Sequence, residues 1–141
     1  MKNLQLPLKT KWFEMTKSGV KTEDYREINP YWISRLFNIS FYDSNENLRN
    51  EYAIFKKRPA TWDKNGFANS FIYRLNYYVY QDQHFKCFET NTMTLGYPKK
   101  DDTERILKLE HKGIEIRTGN PEWGAEPDKL YFVIKHGGSV E

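Results

Sequence analysis

The stretch Gly19-Val20-Lys21-Thr22-Glu23-Asp24-Tyr25-Arg26-Glu27 packs two cations and three carboxylates into nine residues. Opposite charges this close shift one another's protonation and can hold a ligand in one orientation. Lys21 offers a point charge matched to a phosphate or a polarised carbonyl oxygen, and Arg26 offers a planar fork for bidentate contacts. Asp24 can accept a hydrogen bond from an exocyclic amine, and it becomes a base if burial raises its pKa. Thr22 lies between them and completes the candidate binding segment. A second reading stays open on the same residues: Arg26 and Asp24 pair with one another and with strand neighbours, and the segment is a solvated charged strand.

A second locus is Gly119-Asn120-Pro121-Glu122-Trp123-Gly124, whose turn chemistry requires surface exposure. Trp123 can stack on a nucleobase at about 1–3 kcal/mol per stack, with Glu122 beside it on the same rim. The competing reading makes Trp123 a core residue that pins the loop. Tyr73, Tyr77, Tyr78 and Tyr80 beside Arg74 divide in the same way between strand core and stacking surface. His84, His111 and His136 have no motif partner and read as surface or strand residues. A lone Cys87 excludes an internal disulfide and a Cys-based zinc site. Nucleophile signatures, phosphate-cradling glycine loops and metal-ligand spacings are missing, so the expectation is no metal and no cofactor.

These residues must be carried by a mixture of short helices and strands. Leu4-Gln5-Leu6-Pro7-Leu8 alternates and contains a proline, which predicts an edge strand. Thr10 is the expected cap of a two-turn helix bearing Trp12, Phe13 and Met15, and Gly19 is its stop. The charged segment then runs extended to Asn29-Pro30, the start of a second helix with Tyr31, Trp32, Ile33, Leu36 and Phe37 on its apolar face. Asp43 to Glu46 predicts a capping box for a helix carrying Leu48, Tyr52 and Phe55, ended by Arg58-Pro59. Thr61 to Ser70 reads as a loop, and Phe71 to Val79 as a strand with one buried face. Further strands are expected at 85–88 with 92–95, at 106–110, at 114–117 after a bulge or bend at Gly113, and at 130–135 as the closing strand. Several β segments with two early helices predict an α+β domain built on a small mixed barrel, with the helices on its N-terminal side.

Gly19, Lys21, Asp24 and Arg26 follow the order Gly-x-Lys-x-x-(acid)-x-Arg, which resembles the signature of the ASCH domain family. Asp24 stands where many members carry Glu. The run Tyr25-Arg26-Glu27-Ile28-Asn29-Pro30-Tyr31-Trp32 is similar to a bacterial and phage branch of that family, as are Leu95-Gly96-Tyr97 and Pro121-Glu122-Trp123-Gly124-Ala125. The resemblance covers about residues 1–37 and 86–141. It implies a PUA-like β-barrel with an RNA-holding cleft beside the motif, over a single domain 1–141 in which 38–85 is a family-variable insertion. It also implies two enzymatic alternatives, since one branch hydrolyses N4-acetylcytidine and another is described as a ribonuclease. In the amidohydrolase branch the working groups are the motif lysine, a threonine and a glutamate. Lys21 matches the lysine, Asp24 occupies the threonine position, and Glu115 on the expected last-but-one strand is the geometric candidate for the glutamate.

The 141 residues fit one domain, with 38% hydrophobic and 16% aromatic residues, so aromatic area must supply much of the core. Lys and Arg number 22 against 19 Asp and Glu, a charge of +3 that permits an anionic partner without demanding one. No apolar run reaches the roughly 20 residues of a membrane span, and Met1-Lys2-Asn3-Leu4 does not open a signal peptide; the expected setting is the cytoplasm, with no membrane partner. Three functions follow: an RNA- or nucleotide-binding domain, a small hydrolase using Lys21, Asp24 and Glu115, or an interaction protein of a phage or mobile element. Oligomeric state is open. For the first two, the charged segment is expected to line a cleft through Lys21, Asp24 and Arg26, with the Gly119–Gly124 loop as the opposite rim and Lys21 and Trp123 facing one pocket.

Overall fold

The computed structural model describes residues 2–37, 46–57, Leu75 and 85–140. The chain forms two compact units: Met1–Arg26 with Cys87–Glu141, and Glu27–Lys86. The boundary of the second unit lies ahead of the expected variable stretch, so it takes in the Asn29-Pro30 helix as well.

The first unit is α+β, with a five-stranded mixed sheet curled into a half-barrel. Its elements are β1 (Asn3–Leu8), α1 (Thr10–Lys17), β2 (Glu23–Arg26), β3 (Thr90–Leu95), β4 (Ile106–Thr118) and β5 (Leu130–Ser139), in the sheet order β1-β3-β4-β5-β2. β1 is an edge strand, as its proline requires, and runs parallel to β3. Leu4, Leu6 and Leu8 are buried while Asn3, Gln5 and Pro7 face out, the period of two that places one set of side chains in the core. All other pairings are antiparallel.

Helix α1 starts one residue earlier than its hydroxyl cap predicts. Lys9 is the N-cap and makes no side-chain cap bond, and Thr10 is the first helical residue. The expected stop holds: Gly19 has φ +86°, a conformation that only glycine takes without strain. Ile106–Glu110 and Ile114–Arg117 join into the single strand β4, with register shifts on both sides of His111 and Gly113 at φ +114°. The bulge or bend expected at Gly113 is thus a bulge region inside one continuous strand, which keeps the chain in the sheet. The strand at 130–135 extends to Ser139 and lies between β4 and β2, inside the sheet. Of residues 85–88, none joins β3, which begins at Thr90.

One sheet face carries the core, in which Leu6, Met93, Phe132 and Ile134 are all 0% exposed and Phe13 of α1 is 1% exposed. Each such side chain contributes roughly 1.5–3 kcal/mol on leaving water. The other face holds a smaller cluster of Ala125, Tyr131 and Val133 with Tyr25 packed against it, which fastens the 119–129 loop to the sheet.

In the second unit, α2 (Pro30–Leu36) is capped by Asn29, whose Oδ1 accepts from the Trp32 amide at 2.9 Å, with Pro30 at the first helical position. Ile33, Leu36 and Phe37 are buried, but Tyr31 is 60% exposed, so the apolar face is narrower than expected. Phe37 bridges to Phe85, with ring centroids 4.4 Å apart. The helix α3 (Glu46–Lys56) buries Phe55 and half-buries Tyr52. The Asp43–Ser44–Asn45 part of its expected capping box, the Arg58-Pro59 stop and the Thr61–Ser70 loop lie outside the described residues. So does the expected strand Phe71–Val79, except Leu75, which is buried and helical. Among the described residues no helix is long and apolar enough to cross a membrane.

Candidate functional site

The glycine turn after α1 delivers Lys21 to a defined place. Gly19 donates to the Thr16 carbonyl at 3.2 Å and the Lys21 amide donates to the Met15 carbonyl at 3.0 Å, so the residue is tied to the end of the helix. Its side chain is 2% exposed. The ammonium donates to the Glu23 carbonyl at 2.7 Å and to Oδ1 of Asp24. It also lies 5.7 Å from the ring centroid of Tyr25 and 6.0 Å from that of Trp12, within reach of both π faces.

The loop expected as the opposite rim reaches these same rings. A Cβ on Gly124 would stand 2.9 Å from Cζ2 of Trp12, and one on Gly119 would stand 2.7 Å from the Tyr25 ring. The amide of Asn120 donates to the Tyr25 hydroxyl at 2.8 Å. Glycine at 119 and 124 is therefore what lets the loop close on the two aromatic side chains that flank Lys21. Gly124 also has φ +99°.

Asp24 is as buried as its lysine, at 2% exposed, and both its oxygens are engaged. Oδ2 lies 2.6 Å from Nε2 of His136, whose imidazole is 1% exposed. Behind it, Asn91, 0% exposed, places Nδ2 at 2.8 Å from His136 Nδ1 and at 3.2 Å from the Lys135 carbonyl, and Oδ1 at 2.7 Å from His111 Nδ1. Five side chains from α1's exit, β2, β3, β4 and β5 thus form one continuous polar chain through the core side of the sheet.

Burial pushes the Lys21 ammonium below its ordinary value, and the Asp24 carboxylate opposes that shift. For Asp24, burial alone would raise the pKa, but the His136 hydrogen bond and the Lys21 charge outweigh it and hold the carboxyl below its usual range. That direction is opposite to the one a general base requires. Burial above all, with the Lys135 charge adding to it, takes His111 down to about 4.

On the other face of β2, a second set of charges is organised by Arg117. Its guanidinium clamps both oxygens of Glu23, at 2.6 and 3.0 Å, and donates to Glu115 at 2.9 Å. Lys135 donates to the remaining oxygen of Glu115 at 2.9 Å, and the Tyr25 hydroxyl donates to Glu23 at 2.7 Å. Burial would raise the Glu23 pKa, but the Arg117 and Tyr25 hydrogen bonds bring it below the usual range. Burial raises the Tyr25 phenol well above its ordinary value.

The sequence-predicted residues are therefore distributed as follows. Lys21 and Asp24 meet. Arg26 shares the Asp24 face of β2, is half-buried, and donates to the carbonyls of Pro7 at 2.9 Å and Tyr25 at 3.2 Å. Thr22 is exposed; its carbonyl accepts from the His136 amide at 3.0 Å. Glu115 pairs across the sheet with Val133, which pairs with Tyr25, so its carboxylate belongs to the face opposite Asp24 and is held by Lys135 and Arg117. Glu122 is exposed and Trp123 half-exposed, both in a 3-10 turn (Pro121–Trp123) capped by Asn120, whose Oδ1 accepts from the Glu122 amide at 3.0 Å. Trp12, rather than Trp123, supplies the indole beside Lys21.

Sequence reasoning did not single out Trp12, Tyr25, Asn91, His111, His136 or Arg117 as site residues. One signal was present. Asparagine is depleted in strands, and Asn91 stands between two threonines in the middle of a β-rich stretch, where only a buried polar partner justifies it. Among the described residues no group of three or more His, Cys, Asp or Glu side chains is placed to hold a metal ion. Comparison with protein-family profiles, curated proteins and solved structures finds nothing that matches the chain.

Proposed function

We propose that the chain is an ASCH-type, PUA-like domain that binds RNA or a nucleotide, and that Lys21 is the donor presented to the ligand's base. One observation carries the reading: a buried ammonium, two of whose hydrogens are used by Glu23 and Asp24, is flanked by the Trp12 and Tyr25 rings under the Gly119–Gly124 loop. A third N–H beside two aromatic faces fits a planar group with a carbonyl acceptor. The charge balance supports the base rather than the phosphate as the main contact, because Lys21 is neutralised by Asp24 and Arg117 by Glu23 and Glu115.

Titration of the protein with cytidine and with short single-stranded RNA tests the proposal. Trp12→Leu leaves the ion pair in place and removes a stacking face, so binding should weaken about tenfold or more, from a stack of roughly 1–3 kcal/mol. Lys2→Ala, on exposed surface, should leave it unchanged. With Lys21 and Arg117 both paired to carboxylates, the slope of log K against log salt should be shallow, about −0.7 for one phosphate-equivalent contact. No binding of any nucleoside or RNA sinks the reading, and a slope several times steeper moves recognition to the phosphates. Turnover of N4-acylated cytidine is not expected, because the Asp24 carboxylate is ionised and both its oxygens are occupied.

A further inference from the structure

The chain Asp24–His136–Asn91–His111 lies behind the lysine and touches no ligand in the proposal above, yet Asp24, Asn91 and the His136 ring are buried and hydrogen-bonded in line, with the half-buried His111 at the end. Its protonation pattern can be read from geometry. The Lys135 carbonyl can only accept, so the Asn91 atom facing it is the NH2 group. That same NH2 group faces Nδ1 of His136, which must therefore be the unprotonated nitrogen, and the proton sits on Nε2, pointing at Asp24. The Asn91 oxygen then faces His111 Nδ1, which must carry its proton. Every atom along the line has one role, and each role follows from a backbone carbonyl that cannot change.

We infer that His136 is a positioning residue, held as its Nε2–H tautomer by Asn91 and aimed at Asp24 so that the carboxylate keeps one oxygen for Lys21. With Oδ2 occupied by the imidazole, Asp24 cannot rotate away from the ammonium, and Lys21 is left with a single direction for its remaining N–H. The chain orients and does not conduct: an amide stands in its middle, and a side-chain amide does not pass a proton from one histidine to the other. The inference rests on the reading of Lys21 as the ligand-facing donor for its purpose, but the tautomer and the ion-pair geometry are measurable with no ligand present.

The test is nitrogen-15 NMR of the full chain, on the histidine rings and on the lysine ammonium. Wild-type protein should show His136 with a protonated Nε2 and a bare Nδ1, and a slowly exchanging Lys21 ammonium signal. His136→Gln keeps a donor for Asp24 and should keep the ammonium signal; His136→Phe keeps ring volume, removes the donor, and should lose that signal and weaken cytidine binding about tenfold, the loss of one charge-assisted hydrogen bond. Asn91→Asp presents only acceptors to His136 and should put a proton on Nδ1, which reads the tautomer control even if the phenylalanine variant does not fold. A wild-type ring protonated at Nδ1, an unchanged ring in Asn91→Asp, or an ammonium signal intact in folded His136→Phe each overturns the inference. Failure of cytidine to bind wild-type protein, with these spectra as expected, instead removes the proposed function and leaves the positioning role standing.

Discussion

Replacing Asp24 by asparagine exchanges one carboxylate oxygen for an NH2 group and tests the centre of the site. Asp24 accepts from Lys21 on one oxygen and from His136 on the other, and both partners can only donate at those positions. An asparagine has one acceptor and one NH2 group, so one of the two partners must face a donor. The Lys21 ammonium, 2% exposed, also loses its counter-charge. Breaking a buried pair from one side costs about 3–5 kcal/mol, a large part of the roughly 5–15 kcal/mol that holds a domain together. In urea, with a slope near 2 kcal/mol/M, the unfolding midpoint should fall by about 1.5–2.5 M. The control is Lys21→Met with Asp24→Leu, which removes both charges and leaves the His136 N–H and the Glu23 carbonyl without those partners, for about 1–3 kcal/mol each. The double variant should therefore lose less than the Lys21→Met and Asp24→Leu single substitutions summed. If it loses as much as the two single substitutions summed, the pair is not coupled and the site is misread.

Stability should also follow pH in two steps. His111 has a folded pKa of about 4 against an ordinary 6.5, so the unfolded chain takes up more protons between those values, and stability falls as pH drops from about 6.5 to about 4, with a slope approaching one proton. His111→Phe should flatten that limb in pH-dependent urea denaturation; an unchanged limb shows that another group is responsible. Below it, Asp24, Glu23 and Glu115, all held under their usual carboxylate values, lose their contribution as pH falls through their folded pKa values. Gly124→Ala must accept φ +99° and a 2.9 Å approach to Trp12, so it should cost about 1–3 kcal/mol in thermal or urea unfolding and weaken cytidine binding; a neutral effect on both would separate the loop from Trp12. Glu115→Gln removes partners of Lys135 and Arg117 that are 36% and 40% exposed, so it should cost about 1 kcal/mol or less and leave cytidine binding unchanged. Loss of binding in that variant would bring Glu115 into the site.

Local chemistry was enough to read from sequence the alternating Leu4, Leu6 and Leu8, the proline edge of β1, the glycine stop at Gly19 and the Asn29-Pro30 start of α2. Each depends on the conformational preferences of a few neighbouring residues, and no distant partner is needed to decide them. The closeness of Lys21 to Asp24, three residues apart on one turn and one strand, is local as well, but the sequence reading pairs Asp24 with Arg26, whereas its ion pair is with Lys21. What tertiary structure alone decided is the environment of that pair. His136 is 112 residues from Asp24 and Asn91 is 45 from His136, and they meet because β5 enters the sheet between β4 and β2, a strand order that no local pattern encodes. Register sends Glu115 to the face opposite Asp24, because neighbouring strand residues alternate in direction and a one-position difference moves a side chain through the sheet, while the indole beside Lys21 comes from Trp12 on α1.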